Sequence, residues 1–134
     1  MGKTTTNKAF AKAIIGAVIA ALVIKFFFLD FMIAEGHSME PVIKPGSVIL
    51  VCKVFYGIKL PGSGAYITRW GIPKAGDVVV FYNPMGEIAV KRCGEILTEN
   101  EFYALGDNGS HSYDSRNYGP VPFSSIIGRV LGIR

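Results

Sequence analysis

Ala75-Gly76-Asp77-Val78-Val79-Val80-Phe81-Tyr82-Asn83-Pro84-Met85-Gly86-Glu87-Ile88-Ala89-Val90-Lys91-Arg92-Cys93 reads as a β-hairpin. Ala75-Gly76-Asp77 turns the chain into an apolar run, Val78–Tyr82, too short and too β-branched for a buried helix. Asn83-Pro84-Met85-Gly86 is a tight turn, and Glu87–Cys93 returns as the partner strand. One of its residues is out of place. Lys91 follows Ile88, Ala89 and Val90 on a strand expected to be buried.

The rest of the chain after Asp30 repeats this pattern. Ser47–Phe55 is β-branched and follows the turn signal Lys44-Pro45-Gly46. Residues 58–74 are rich in Gly and Pro and read as an extended loop, with a short strand at Ala65–Thr68. Phe102–Leu105 and Ile126–Leu131 supply two further strands. No helical period of any length follows Asp30. Short strands punctuated by Gly and Pro predict a mainly β fold, an antiparallel sheet or partial barrel.

The N-terminal segment is of another kind. Residues 10–29 are apolar, with an uninterrupted core from Ala13 to Ile24. About 20 residues at about 1.5 Å rise cross a hydrocarbon layer of about 30 Å. Lys12 and Lys25 stand toward opposite ends, and Phe26, Phe27, Phe28 and Phe31 cluster at the exit as an interfacial belt. The organisation expected is a cytoplasmic basic tail at 1–9, a transmembrane anchor at 10–29 and an extracytoplasmic β domain at 30–134. Lys3, Lys8 and Lys12 set that orientation by the positive-inside rule. A cleavable signal peptide is the alternative, but Met32 at the minus-three place before Ala34 makes a poor cleavage site.

The net charge of +4 belongs to this segment. Four lysines precede the first acid, Asp30, whereas ten Lys/Arg face nine Asp/Glu from Glu35 onward. No basic stripe remains for nucleic acid. The two histidines and two cysteines have no ligand spacing, so neither a metal nor a cofactor is expected. Cys52 and Cys93 both fall in apolar strands, as buried thiols or as a disulfide that an extracytoplasmic location permits.

Ser38, in Gly36-His37-Ser38-Met39-Glu40-Pro41, lies just beyond the membrane exit. A serine hydroxyl needs a base within hydrogen-bond reach to act as a nucleophile. Lysine serves only when neutral, which requires desolvation. Ser38 and Lys91 therefore form a candidate nucleophile–base pair, although each residue alone also fits a turn serine and a solvent-facing strand lysine. His37 is a weaker base candidate, since adjacent residues on an extended strand point to opposite faces.

Read together, five segments resemble successive boxes of the bacterial type I signal peptidases (leader peptidases). They are Ser38–Pro41, Lys53–Pro61, Pro73–Phe81, Lys91-Arg92, and Gly106-Asp107-Asn108 through Ser112-Tyr113-Asp114-Ser115-Arg116 to Gly119. The resemblance runs in order from about residue 12 to the C-terminus. It implies Ser38 as nucleophile, Lys91 as general base, and Ser112 as a hydrogen-bond partner that orients the lysine amine. It also implies charge pairs among Arg92, Asp107, Asp114 and Arg116 that brace the site. The implied substrates are exported preproteins, cut after small residues at the membrane phospholipid surface.

Two departures stand out. Many members carry a serine two places before the nucleophile; here it is Gly36, which leaves the oxyanion site to backbone donors such as the Ser38 N–H. The stretch from Lys91 to Gly106 is also short, without the family's large accessory insertion. A conjugative-transfer peptidase that matures pilin, and a non-enzymatic membrane-anchored β domain, remain open as alternatives. Related peptidases of the endoplasmic reticulum and archaea have histidine where Lys91 stands. Oligomeric state is not readable.

Overall fold

A computed structural model describes residues 3–134. Helix α1 covers Lys3–Phe27 and contains, at Thr6–Phe27, a stretch long and apolar enough to cross a membrane. None of that stretch is buried against the rest of the chain. Strands follow: β1 (Leu29–Ile33), β2 (Val48–Cys52), β3 (Gly57–Lys59), β4 (Tyr66–Arg69), β5 (Val78–Tyr82), β6 (Ile88–Thr98) and β7 (Glu101–Leu105). A one-turn helix α2 (Ser115–Tyr118), a two-residue β8 (Val121–Pro122) and β9 (Ile126–Ile133) complete the chain. Seven strands form one curled antiparallel half-barrel in the order β1-β2-β9-β5-β6-β7-β8, and β3–β4 is a separate ribbon. The mainly β expectation holds.

The hairpin reading matches β5 residue for residue, and β6 runs beyond Cys93 to Thr98 to meet β7. In register, Val79 faces Lys91 and Val80 faces Val90. Successive side chains of β5 serve opposite faces of the sheet. Val79 and Phe81 join Phe102, Ala104, Phe123 and Ile126 in one core, while Val80 joins Ala34, Met39, Ile43, Ile49 and Val51 in the other. The second core pins the segment between β1 and β2 at Ala34, Met39 and Ile43, with half-buried Ser38 between the pins.

The anchor and the sheet meet earlier than the expected boundary at residue 29. The helix ends at Phe27, and Leu29–Ile33 pairs with Cys52–Val48 as β1. Phe31, expected in the aromatic belt, stands opposite Leu50 in this strand. Two groups of Lys53 hold the junction. Its backbone N–H donates to the Phe28 carbonyl at 2.8 Å, and its ammonium donates to the Phe26 carbonyl at the unsatisfied end of the helix. The expected tail at 1–9 lies outside the described residues at positions 1 and 2; from Lys3 it continues the helix.

The Lys53–Pro61 box has a structural account. Tyr56 is buried, and its hydroxyl donates to Asp77 Oδ2 at 2.8 Å, tying the ribbon to the turn that starts β5. Arg129 of β9 approaches the other oxygen of Asp77 at 3.2 Å. Cys52 and Cys93 are free thiols, and burial pushes the Cys93 thiol up to about 12.

Phe102, fully buried, packs its ring 6.0 Å from that of Phe81 and 5.7 Å from that of Phe123. Phe102→Ala is expected to cost about 3–5 kcal/mol. Removing exposed Ile67 in the ribbon should change stability by less than about 0.5 kcal/mol. Denaturant unfolding in detergent micelles, followed by Trp70 fluorescence, measures both.

Candidate active site

Lys91 enters the site from the centre of β6, where only 6% of it is exposed. Its Nζ lies 2.6 Å from Ser38 Oγ. The two residues that the sequence singled out, 53 positions apart, are in direct hydrogen-bond contact. Burial lowers the pKa of the amine; the negative charge of Asp114 opposes this and the positive charge of Arg116 reinforces it.

Ser38 follows Gly36, whose φ of +75° lies in the left-handed region that side chains disfavour. That conformation suits the glycine that stands here in place of a serine, and it leaves no side-chain hydroxyl at this position. Past Gly36 the chain turns, with the Ile43 N–H donating to the Met39 carbonyl at 2.8 Å. The Ser38 carbonyl accepts from the Asn108 N–H at 2.9 Å, and the Asn108 side-chain amide donates to the His37 carbonyl at 3.1 Å. Among the described residues the Ser38 N–H has no hydrogen-bond partner. His37 turns outward, with Nδ1 3.2 Å from Glu40 Oε2.

Gly106-Asp107-Asn108 is the wall behind the pair. A methyl group on Gly106 would lie 2.1 Å from Ser112 Oγ and 2.7 Å from the Ser38 carbonyl, so only glycine fits. Asp107 makes a two-point contact with Arg92, at 2.8 Å to Nε and 2.7 Å to Nη2, on the strand that carries Lys91. Asp114 is fully buried. It accepts from Ser112 Oγ at 2.6 Å, the Gly106 N–H at 2.8 Å, and Arg116 through Nε at 2.9 Å and Nη2 at 2.5 Å. Its other oxygen also caps α2 through the Arg116 N–H at 3.0 Å. Burial alone would raise the carboxyl pKa, but these bonds outweigh it and hold Asp114 well below the usual carboxylate range.

The expected charge pairs are therefore present, Arg92 with Asp107 and Arg116 with Asp114. Ser112 differs from expectation: its hydroxyl donates to Asp114, two residues on, and not to Lys91. The doubly acceptor, fully ionised carboxylate is the stronger partner for a hydroxyl. The contacts of two residues in the quoted block are not legible in the sequence. Asn108 was only part of a block, and nothing in the sequence marks the close approach that requires Gly106.

A cleft runs past Ser38 and Lys91, lined by Phe31, Ile33, Ala34 and Met39 on one side and Ile88, Ala89 and Val90 of β6 on the other. Glu35, Asn83 and Glu87 also line it, so the cleft is mixed in character, and β1 is an edge strand of the sheet. Among the described residues no cluster of metal-ligating side chains occurs.

The family model for "Signal peptidase, peptidase S26" matches residues 7–96 and 90–133. The chain belongs to this family. Signal peptidase I of Buchnera aphidicola (subsp. Baizongia pistaciae) is 40% identical over 67 residues, 50% of this chain and 22% of that protein. Signal peptidase I of Pseudomonas aeruginosa is 37% identical over 76 residues, 56% of this chain and 26% of that protein. Mitochondrial inner membrane protease subunit 1 of Xenopus tropicalis is 31% identical over 113 residues, 75% and 66% respectively. The chain thus spans about a quarter of the length of the first two relatives. Membership in the signal peptidase family and the unburied apolar helix together fit a membrane-anchored protein.

Asp114→Asn removes the ionised acceptor of Ser112 and Arg116 and is expected to cost about 1–3 kcal/mol. Because the folded carboxyl titrates below the unfolded one, its stabilisation is complete above the unfolded value, about 3.9, and is lost as pH falls through the folded value. Thermal unfolding from pH 7 down to pH 3 should show wild-type stability declining below about pH 5, and a flatter profile in the variant.

Proposed function

We propose that this chain is a membrane-anchored serine endopeptidase that removes signal peptides from exported preproteins, with Ser38 as nucleophile and Lys91 as general base. The observation that carries the reading is the 2.6 Å contact between the Lys91 amine and the Ser38 hydroxyl, made inside an apolar setting. A neutral Lys91 takes the hydroxyl proton as Ser38 Oγ attacks the scissile carbonyl. The resulting ammonium then passes the proton to the departing amine. An acyl-enzyme on Ser38 remains, and the freed Lys91 amine activates the water that hydrolyses it. The unpartnered Ser38 N–H is the donor best placed to stabilise the oxyanion.

The cleft beside edge strand β1, with Ile33, Ala34, Ala89 and Val90 in its lining, supports binding of the substrate as an added extended strand with small side chains next to Ser38. The N-terminal lysines support a cytoplasmic N-terminus, with the β domain outside the bacterial cytoplasmic membrane. Ser38 lies 11 residues past the last helical residue, Phe27. That short tether keeps the site near the headgroup layer, where the cleavage region of a preprotein emerges from its own apolar segment.

Ser38→Ala and Lys91→Ala are each expected to lower preprotein cleavage by at least about 10³-fold while the protein stays folded. Lys91→Arg should be as inactive, since a guanidinium keeps its proton. Cleavage of a preprotein in detergent micelles, read by gel shift, is the measurement. Substantial activity in Lys91→Ala with loss in His37→Ala would overturn the assignment.

A further inference from the structure

Asp114 poses a problem for the chemistry it supports. A buried carboxylate whose field reaches Lys91 favours the ammonium form of that lysine, whereas the reaction needs the free amine. Yet the carboxylate has other work. It gathers Ser112, the Gly106 N–H and the start of α2, and so holds Gly106 against the Ser38 carbonyl. An uncharged residue there would give up that collection of bonds. A lone carboxylate would work against the lowering that burial gives Lys91.

Arg116 resolves the conflict. Its guanidinium meets both oxygens of Asp114, at 2.9 and 2.5 Å, and Nη2 also donates to the Gly106 carbonyl at 3.1 Å. The pair is lopsided: Asp114 is fully buried, while the Arg116 side chain is 48% exposed. Burial of the carboxylate alone would therefore leave net negative charge in the wall behind the site, and the two-point contact sets a positive charge directly on it.

The other charged groups near Lys91 are already engaged or face solvent. Arg92, next on β6, is turned to Asp107. Glu40, on the Ser38 segment, is paired with His37, and Glu35 and Glu87 at the cleft are exposed. The β5 neighbour of Lys91 is apolar Val79. Burial is the largest influence on the amine, and the charges that add to it are those of Asp114 and Arg116.

We propose that Arg116 is a positioning residue whose charge offsets that of Asp114 at Lys91 in part, and so helps burial keep the amine free at the pH at which the enzyme works. This rests on Ser38 and Lys91 being the reacting pair. Arg116 touches neither the substrate nor Ser38; it acts through Asp114 on the base. The role differs from bracing, because it predicts a change in the pH at which the enzyme switches on, beyond any change in its maximal rate.

The test is the pH profile of single-turnover cleavage of a preprotein by the full chain in detergent micelles. Arg116→Gln is expected to move the midpoint of the rise upward by about one pH unit, with about tenfold less activity at neutral pH and most of the alkaline plateau retained. Arg116→Lys, which restores a charge, should return the midpoint most of the way. Asp114→Asn leaves the guanidinium without its counter-charge and should move the midpoint down. The double variant Asp114→Asn/Arg116→Gln has neither charge, and its midpoint should fall between those of Asp114→Asn and Arg116→Gln. A midpoint unmoved in Arg116→Gln, with the rate lowered equally at every pH, would make Arg116 a brace only and overturn the proposal. Should Arg116→Gln fail to fold, Asp114→Asn and the double variant decide: a midpoint common to wild type and Asp114→Asn overturns it. Activity of Lys91→Arg in the same assay would instead overturn the reading of Lys91 as base, so the two failures are distinct.

Discussion

An amine held out of water against a hydroxyl is the interaction on which the rest of this structure depends. Lys91 Nζ and Ser38 Oγ are 2.6 Å apart, and burial disfavours the charged form of the lysine. Reaching that geometry requires a strand that carries a lysine into the interior and a turn that delivers a serine to it. β6 does the first, hydrogen-bonded between β5 and β7. The segment between β1 and β2 does the second, pinned on either side of Ser38 by Ala34, Met39 and Ile43. The Gly106–Asn108 wall then closes the back of the site through the Ser38 carbonyl. The arrangement has a cost. A lysine whose folded pKa is lowered destabilises the fold at every pH where the unfolded chain would be protonated, with the penalty lifted only above about pH 10.4. The packed cores on both faces of β5 offset it.

What could be read in the sequence was what local chemistry determines. Val78–Tyr82 is a strand because its β-branched run is bounded by Gly76-Asp77 and Asn83-Pro84, and the structure begins and ends it at the same residues. Lys91 stands out because Ile88, Ala89 and Val90 precede it on a strand expected to be buried. β1 could not be read in this way. Leu29–Ile33 continues the apolar character of the helix, and only pairing with Val48–Cys52 makes it a strand. The β3 strand is similarly hidden, since Gly57–Lys59 has little strand propensity and is held by its ribbon partner β4 and by Lys59, whose ammonium donates to the Ser124 carbonyl at 2.7 Å.

The site shows the same division. Residue types suggest the Ser–Lys pair, the family resemblance implies the charge pairs, and the residues of each pair are in contact. The partner of Ser112 was a matter of tertiary geometry. Its single hydroxyl proton goes to the ionised Asp114, and its lone pairs make no hydrogen bond with Lys91 among the described residues. Gly106 is the sharper case: the absence of a side chain carries no sign of what would have collided with it. Asp114 is then more than a brace, because the bonds that order the wall also fix a charge near the base.

The central claim, that Lys91 is held in a state unlike an ordinary lysine, can be examined without substrate. In protein labelled at the lysine Cε carbons, the Lys91 resonance is identified by its loss in Lys91→Met, and its chemical shift is followed from pH 5 to 12 by NMR in detergent micelles. The account predicts a titration midpoint displaced clearly below the free-lysine value of about 10.4. A Lys91 midpoint at or above about 10.4 would contradict it.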